Sequence, residues 1–161
     1  MPTRTGIGYD SHRFAPGGPM RLGGVDVPAE MHLAGHSDGD AICHALTDAV
    51  LGAAGLGDIG EMFPDTDPAN KGKDSVVMLR AAVERVHAAG FRLVNVDVTV
   101  IAERPKIGPQ RPAIRARLAE VLGLEAGCVS VKGKTNEGMG WVGRGEGLAV
   151  IATASLHQSP R

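Results

Sequence analysis

Residues 36–57 read HSDGDAICHALTDAVLGAAGLG, a polar opening that runs into an amphipathic segment. Ile42, Leu46, Ala49, Val50 and Ala53 recur at spacings of three and four, which places them on one face of a helix. Ser37 or Asp38 stands where a helix cap belongs, and Gly55 and Gly57 stand where the helix should end. Working outward, TRTGIGYDSH reads as an opening strand with a polar C-terminal end. PMRLGGVDVP reads as a small hairpin turning at Gly23-Gly24. DSVVMLRAAVERVHAAG is a second amphipathic helix, with Asp74 or Ser75 near its cap and Gly90 at its end. FRLVNVDVTVIAE sets Leu93, Asn95 and Asp97 against Val94, Val96, Val98 and Val100, the alternation of a strand. PAIRARLAEVLG is a third helix, and CVSVKGKTNE and GLAVIATASLH are closing strands. The order β-β-α-α-β-α-β-β predicts an α+β fold, a two-layer sandwich with helices on one face of a mixed sheet. Between the first two helices, GDIGEMFPDTDPANKGKD has no apolar period and reads as a long, functional loop.

Composition narrows the function classes. The chain has 161 residues, of which 43% are hydrophobic and 22% charged, so the expectation is one globular domain over residues 1–161. Seventeen Lys+Arg face eighteen Asp+Glu, for a formal charge of -1. That balance argues against a nucleic-acid or membrane-surface partner, both of which need a basic excess. Aromatic residues make up 3%, too few for a surface that stacks bases. Two cysteines, Cys43 and Cys128, form no disulfide framework and no CxxC motif. The N-terminal residues lack a signal-peptide core and no apolar run reaches membrane-spanning length, so a cytoplasmic location is expected.

Four of the six histidines, His12, His32, His36 and His44, fall in the first third of the chain. On a helix, Asp40, His44 and Asp48 share a face, so either aspartate is placed to support His44. Asp10 and His12 are two apart and project to the same side of a strand. Two imidazoles and one carboxylate are three ligands of a zinc site with an open fourth position. Spacing alone leaves this open, because a DxH on a strand and a single helical histidine are each common as hydrogen-bonded surface residues. Cys43 sits roughly 100° around the helix from His44 and reads as a buried structural cysteine. In VKGKTNEGMGWVGRGEG, Lys132, Lys134 and Arg144 supply cations and Thr135 a hydroxyl, while the glycines let backbone N–H groups approach an anion. Glu137 would repel a phosphate there unless a divalent cation lay between them. A solvated glycine-rich turn is the alternative.

Taken together, GYDSHRF, HSDGD, HALTDA, LGDIGEMFPDTDP, NVDVT, PKIGP and GRGEG resemble, in order, the 2-C-methyl-D-erythritol 2,4-cyclodiphosphate synthase family in its monofunctional form. The resemblance runs from about Gly8 to the last strand. It implies an enzyme that cyclises 4-diphosphocytidyl-2-C-methyl-D-erythritol 2-phosphate and releases CMP, in the non-mevalonate isoprenoid pathway. Asp10, His12 and His44 would hold Zn²⁺, and Glu137 would hold Mg²⁺ or Mn²⁺. His36 and Thr135 would act on the phosphates as catalytic residues, with Ser37 beside them. Asp58, Ile59 and Gly60, with Phe63, Pro64, Asp65, Thr66 and Asp67, would line the methylerythritol pocket. The nucleotide would be held by Ala102, Glu103, Arg104, Pro105, Lys106, Ile107 and Gly108, together with Lys134, Thr135, Asn136 and Glu137.

The resemblance further implies a homotrimer with active sites between subunits and an axial cavity able to take an isoprenoid diphosphate. Trp141 and Arg144 would contact substrate or that cavity, with Glu146 nearby. Two positions depart from the family pattern: Gly133-Lys134-Thr135 stands where Ala-Thr-Thr is usual, and Trp141 where phenylalanine is usual. Two rival readings share the metal and phosphate donors. A metal-dependent phosphohydrolase would release inorganic phosphate, and a non-catalytic trimer would bind isoprenoid diphosphates without turnover.

Overall fold

The computed structural model describes residues 2–159. Strand β1, Thr3–Pro16, is followed by two short strands, β2 (Met20–Leu22) and β3 (Val25–Val27), which pair only with each other. Their two-residue turn is Gly23-Gly24, with φ of 60° and 74°, the left-handed pair that this tight hairpin requires. Strand β4, Met31–Leu33, was not expected from the sequence; it pairs antiparallel with Phe14–Pro16 of β1. Helix α1 spans Ala41–Ala54, a single turn α2 Ile59–Met62, and helix α3 Ser75–Ala88. Strand β5 (Phe91–Ile101), helix α4 (Arg111–Leu122), strand β6 (Val129–Lys134), a short helix α5 (Gly140–Gly143) and strand β7 (Gly147–Gln158) complete the described chain.

The main sheet has the order β4-β1-β7-β5-β6; β5 and β6 run parallel and the other pairs antiparallel, so it is mixed as expected. Eleven of the fourteen α1 residues are buried, including Ile42, Leu46 and Val50. The helix lies close on β1 because Gly6 and Gly8 face it: a Cβ at either would collide with the backbone of Ala49 or Ala45. The core joins α1, α3 and α4 to Val96, Val98 and Val100 of β5 and to Leu148, Val150 and Ala152 of β7. Val94 departs from the buried row of Val96, Val98 and Val100 and is 41% exposed, because the β5–β7 register shifts between Leu93 and Asn95. On the sheet's other face Ile7 (69%), Tyr9 (56%) and Ile151 are exposed.

The α1 cap differs from the sequence expectation. Asp40, not Ser37 or Asp38, caps the helix, its carboxylate accepting the Cys43 N–H at 3.1 Å. The left-handed turn at Gly39 (φ 74°) delays the helix start by two residues. The same buried carboxylate accepts the N–H groups of Gly23 (2.8 Å) and Gly24 (2.7 Å), fastening the hairpin to the helix start. At the other end Gly55 takes φ 71° and closes α1 as expected. The long loop is more ordered than its composition suggested. Asp58 caps α2 through Glu61 N–H, Asp67 caps a 3₁₀ turn at Pro68–Asn70, and the Asn70 side chain donates back to the Pro64 carbonyl at 2.9 Å. Among the described residues, no helix is long and apolar enough to cross a membrane.

Candidate active site

The polar end of β1 and the first turns of α1 meet beneath the long loop. Pairing with β7, in which Asp10 lies opposite Val150 and His12 opposite Leu148, fixes both side chains on the helix side of the sheet end. His44 sits one turn into α1, its N–H bonded to the Asp40 carbonyl at 3.0 Å. Asp10 Oδ2 lies 3.0 Å from His12 Nδ1 and 3.1 Å from His44 Nδ1. One ligand atom from each of the three residues falls within 4.8 Å of the others. His12 Nδ1 is buried yet has no aligned hydrogen-bond partner, despite its closeness to Asp10. An orphaned buried ring nitrogen beside a carboxylate and a second imidazole fits a divalent cation.

Neighbouring groups also perturb the protonation of Asp10 and His44. Burial alone would raise the Asp10 pKa, but the adjacent His12 and His44 rings outweigh it and hold the carboxyl below its usual value. Burial alone would lower the His44 pKa, and the Asp10 carboxylate overcomes it, so the ring holds its proton more tightly than a free histidine. Both shifts report concentrated charge at one point.

The far side of His44 carries two hydroxyls: Nε2 is 2.9 Å from Ser37 Oγ and 2.8 Å from Ser75 Oγ. Ser75 is fully buried and its hydroxyl donates to Asp38. Sequence reasoning missed this contact; an Asp-Ser pair at a helix start signals a cap and says nothing of a distant histidine. The expected support of His44 by Asp48 is not present. Asp48 Oδ1 accepts the Ile59 N–H at 2.8 Å instead, because the chain after α1 turns back and lays α2 against that face.

A cavity of about 340 Å³ opens over this centre, lined by Asp10, His12, His36, Ser37 and His44 below and by Ile59, Gly60, Phe63 and Asp65 of the long loop. Ser11, Asn70 and Met78 also line it and carried no signal in the sequence. Asp58, Pro64, Thr66 and Asp67 are not among its lining residues; Asp58 and Asp67 cap the turns that shape the loop. Lys73 stands 5.0 Å over the Phe63 ring.

A second cavity, of about 280 Å³, lies between the β5–α4 connection and the end of β6. It brings together Ala102, Pro105, Lys106, Ile107, Gly108, Lys134 and Thr135, and shares no residue with the first. The Ala102 N–H donates to the Lys134 carbonyl at 2.8 Å, which joins the two segments. Glu103, Asn136 and Glu137 do not line it, and Arg104 faces a separate hollow beside Met31. Trp141 and Glu146 line a smaller hollow next to His12, and Arg144 Nε pairs with Glu146 at 2.7 Å on the surface.

Comparison with known proteins places this architecture. Residues 3–157 match the YgbB family. The 2-C-methyl-D-erythritol 2,4-cyclodiphosphate synthase of Gemmatimonas aurantiaca is 74% identical over 153 residues, 95% of this chain and 92% of that protein. The bifunctional IspDF of Campylobacter jejuni superposes with a TM-score of 0.94 at 43% identity, covering 98% of this chain and 42% of that one. A 2C-methyl-D-erythritol-2,4-cyclodiphosphate synthase solved with CDP bound gives 0.89 at 41% identity, covering 96% of this chain and all of that one (100%). With the match spanning both cavities and every strand of the main sheet, the chain belongs to the YgbB family.

Proposed function

We propose that this protein converts 4-diphosphocytidyl-2-C-methyl-D-erythritol 2-phosphate to 2-C-methyl-D-erythritol 2,4-cyclodiphosphate and CMP, in the non-mevalonate route to isoprenoid precursors. The observation that carries the reading is the Asp10–His12–His44 centre at the floor of a cavity roofed by Ile59, Gly60, Phe63 and Asp65. The 74% identical relative bears the name of this synthase, which supports the same chemistry here.

In this reaction an oxygen of the 2-phosphate attacks the β-phosphorus, and the bond from that phosphorus to the bridging oxygen breaks, leaving the electron pair on CMP. A phosphate monoester has a second pKa of about 6, so the nucleophile is already anionic and needs no general base. CMP leaves without a proton donor. What the site must supply is charge compensation and in-line placement. Asp10, His12 and His44 would hold Zn²⁺, and Glu137 would hold Mg²⁺ or Mn²⁺ together with phosphate oxygens. Bound there, the two cations supply charge neutralisation and orientation at the reacting phosphates. His36 and Ser37 line the same cavity and would donate to the 2-phosphate side, Thr135 to the diphosphate. Each such donor is worth about 3 kcal/mol at the transition state. The erythritol unit would lie under Ile59, Gly60 and Phe63, shaped by the turns that Asp58 and Asp67 cap, with Pro64, Asp65 and Thr66 between them.

Within one chain the metal cavity and the Ala102–Gly108 cavity share no residue, yet the substrate carries both a metal-facing diphosphate and a cytidine. That supports a homotrimer in which the cytidine site, Ala102 to Gly108 with Lys134, Thr135 and Asn136, serves the metal centre of a neighbouring subunit. The exposed apolar face with Ile7, Tyr9 and Ile151 supports association through the sheet. Arg144 and Trp141 would then stand near the axis, where an axial cavity would take an isoprenoid diphosphate. A cytoplasmic location fits the pathway. The test is to incubate the metal-loaded protein with the substrate and follow CMP by chromatography. CMP formation that stops on chelation supports the reading, and a protein that holds its metals but forms no CMP overturns it.

A further inference from the structure

We infer that Ser75, tethered to Asp38, is the residue that positions His44: it fixes the imidazole hydrogen on Nε2 and so leaves Nδ1 as the nitrogen that faces the cation. This rests on the reading of Asp10, His12 and His44 as a metal centre. Ser75 is fully buried at the first position of α3, and it is not among the residues lining the cavity above His44. A hydroxyl that deep must be paired, and its neighbours are a carboxylate oxygen of Asp38 and His44 Nε2 at 2.8 Å. A hydroxyl has one hydrogen, and a carboxylate only accepts. The hydrogen therefore goes to Asp38, and the serine oxygen is left to accept from Nε2–H. The opposite nitrogen, Nδ1, is the one 3.1 Å from Asp10 Oδ2.

Asp38 is itself held from both sides. Its Oδ1 accepts the Asp40 N–H at 3.1 Å and its Oδ2 accepts the Ser75 N–H at 3.1 Å. The aspartate thus joins the turn before α1 to the start of α3, and the serine hydroxyl is aimed by that junction rather than by its own rotamer alone.

Ser37 lies at nearly the same distance from Nε2, 2.9 Å, but its situation differs. It lines the cavity and its oxygen also accepts the Gly39 N–H at 3.3 Å. Ser37 can therefore turn toward a phosphate without leaving His44 unpaired, because Ser75 remains. Two hydroxyls on one ring nitrogen are in this way divided between a ligand-facing serine and a fixed one. Buried partners of metal-ligating histidines set ring orientation and typically carry a 10- to 100-fold effect on metal affinity.

The experiment is a chelator-competition titration of zinc on the full chain and its S75A, S75T and S37A variants, with thermal melting of each as a check on folding. S75A is expected to bind zinc about 10- to 100-fold more weakly. S75T, which keeps the hydroxyl, should stay within about threefold of the parent, and S37A likewise. A long-range ¹H–¹⁵N spectrum of the zinc-loaded parent should show the His44 hydrogen on Nε2, a readout that survives even if S75A fails to fold. Unchanged affinity in folded S75A, or a His44 hydrogen found on Nδ1, would overturn the assignment. A parent that binds zinc but releases no CMP overturns the proposed reaction while leaving this comparison intact; a parent that takes up no zinc removes both.

Discussion

The Glu103 carboxylate straddles Glu137: the same oxygen, Oε1, accepts the N–H of Asn136 at 3.0 Å and the N–H of Gly138 at 3.1 Å. Glu137 between them has φ 53°, the only non-glycine residue in the left-handed region among those described. Its own N–H points to Thr135 Oγ1 at 3.3 Å. A turn through a left-handed residue forms an anion-binding concavity, and here the Asn136 and Gly138 N–H groups on either side of Glu137 are taken by the protein's own carboxylate. If Glu137 holds the second cation, E103A should raise the Mg²⁺ concentration for half-maximal rate about tenfold, while E103Q, which keeps the accepting oxygen, should change it little. Initial rates against Mg²⁺ decide this, and an E103A curve that overlays the parent would sink it.

Asp40 is fully buried and its carboxylate serves three backbone N–H groups, those of Gly23, Gly24 and Cys43. D40A leaves all three without their acceptor. We expect a loss of about 3 kcal/mol or more by urea unfolding, with D40N losing roughly half as much. A change below about 1 kcal/mol for D40A would show that the hairpin is fastened by packing alone.

Asp48 contributes a pH dependence of its own. Burial first, then the nearby Asp58 and Asp10, raise its pKa above the ordinary aspartate value, while the Ile59 N–H acts the other way. A carboxyl whose folded pKa is raised binds its proton more tightly in the folded state, so its stabilising contribution is present at low pH and is lost as pH rises through the shifted value. D48N cannot ionise but can still accept from Ile59. It should therefore be at least as stable as the parent at pH 7, with the advantage vanishing below about pH 4. Zinc affinity should be unchanged in D48N, since the side chain does not touch His44. Paired urea titrations at the two pH values check the first point, and a D48N protein that is less stable at pH 7 would contradict it.

Cys43 is predicted to be inert. Burial chiefly, with the Asp40 charge, raises its thiol well above the usual value, so no thiolate forms at pH 8. Ellman's reagent should modify one cysteine of the folded protein, Cys128, and both only after denaturant is added. Two fast equivalents in native buffer would show that α1 opens far more readily than its packing implies.

Much of this was legible in the sequence because it follows short-range rules. The three-and-four spacing of Ile42, Leu46 and Val50 fixed α1, and the alternation of Val96, Val98 and Val100 fixed β5. Asp10 and His12 share a side through strand period, but spacing left their meeting with His44 open, and only the family resemblance joined the three. What stayed hidden depends on contacts between distant segments. Strand β4 is three residues long and has no pattern of its own; it exists because it pairs with the end of β1. Ser75 meets His44 across 31 positions, and Asp40 meets Gly23 across 17, which no local period encodes. Asp48 misled for the same reason: helical spacing put it beside His44, but the returning chain at Ile59 claimed its oxygen first.

The most direct test of the central claim is phosphorus NMR of the protein with 4-diphosphocytidyl-2-C-methyl-D-erythritol 2-phosphate, Zn²⁺ and Mg²⁺, alongside H44A and E137Q. The account predicts cyclic diphosphate and CMP in equal amounts from the parent, and almost none from either variant. Inorganic phosphate in place of the cyclic product, or substantial cyclisation by both variants, would contradict it.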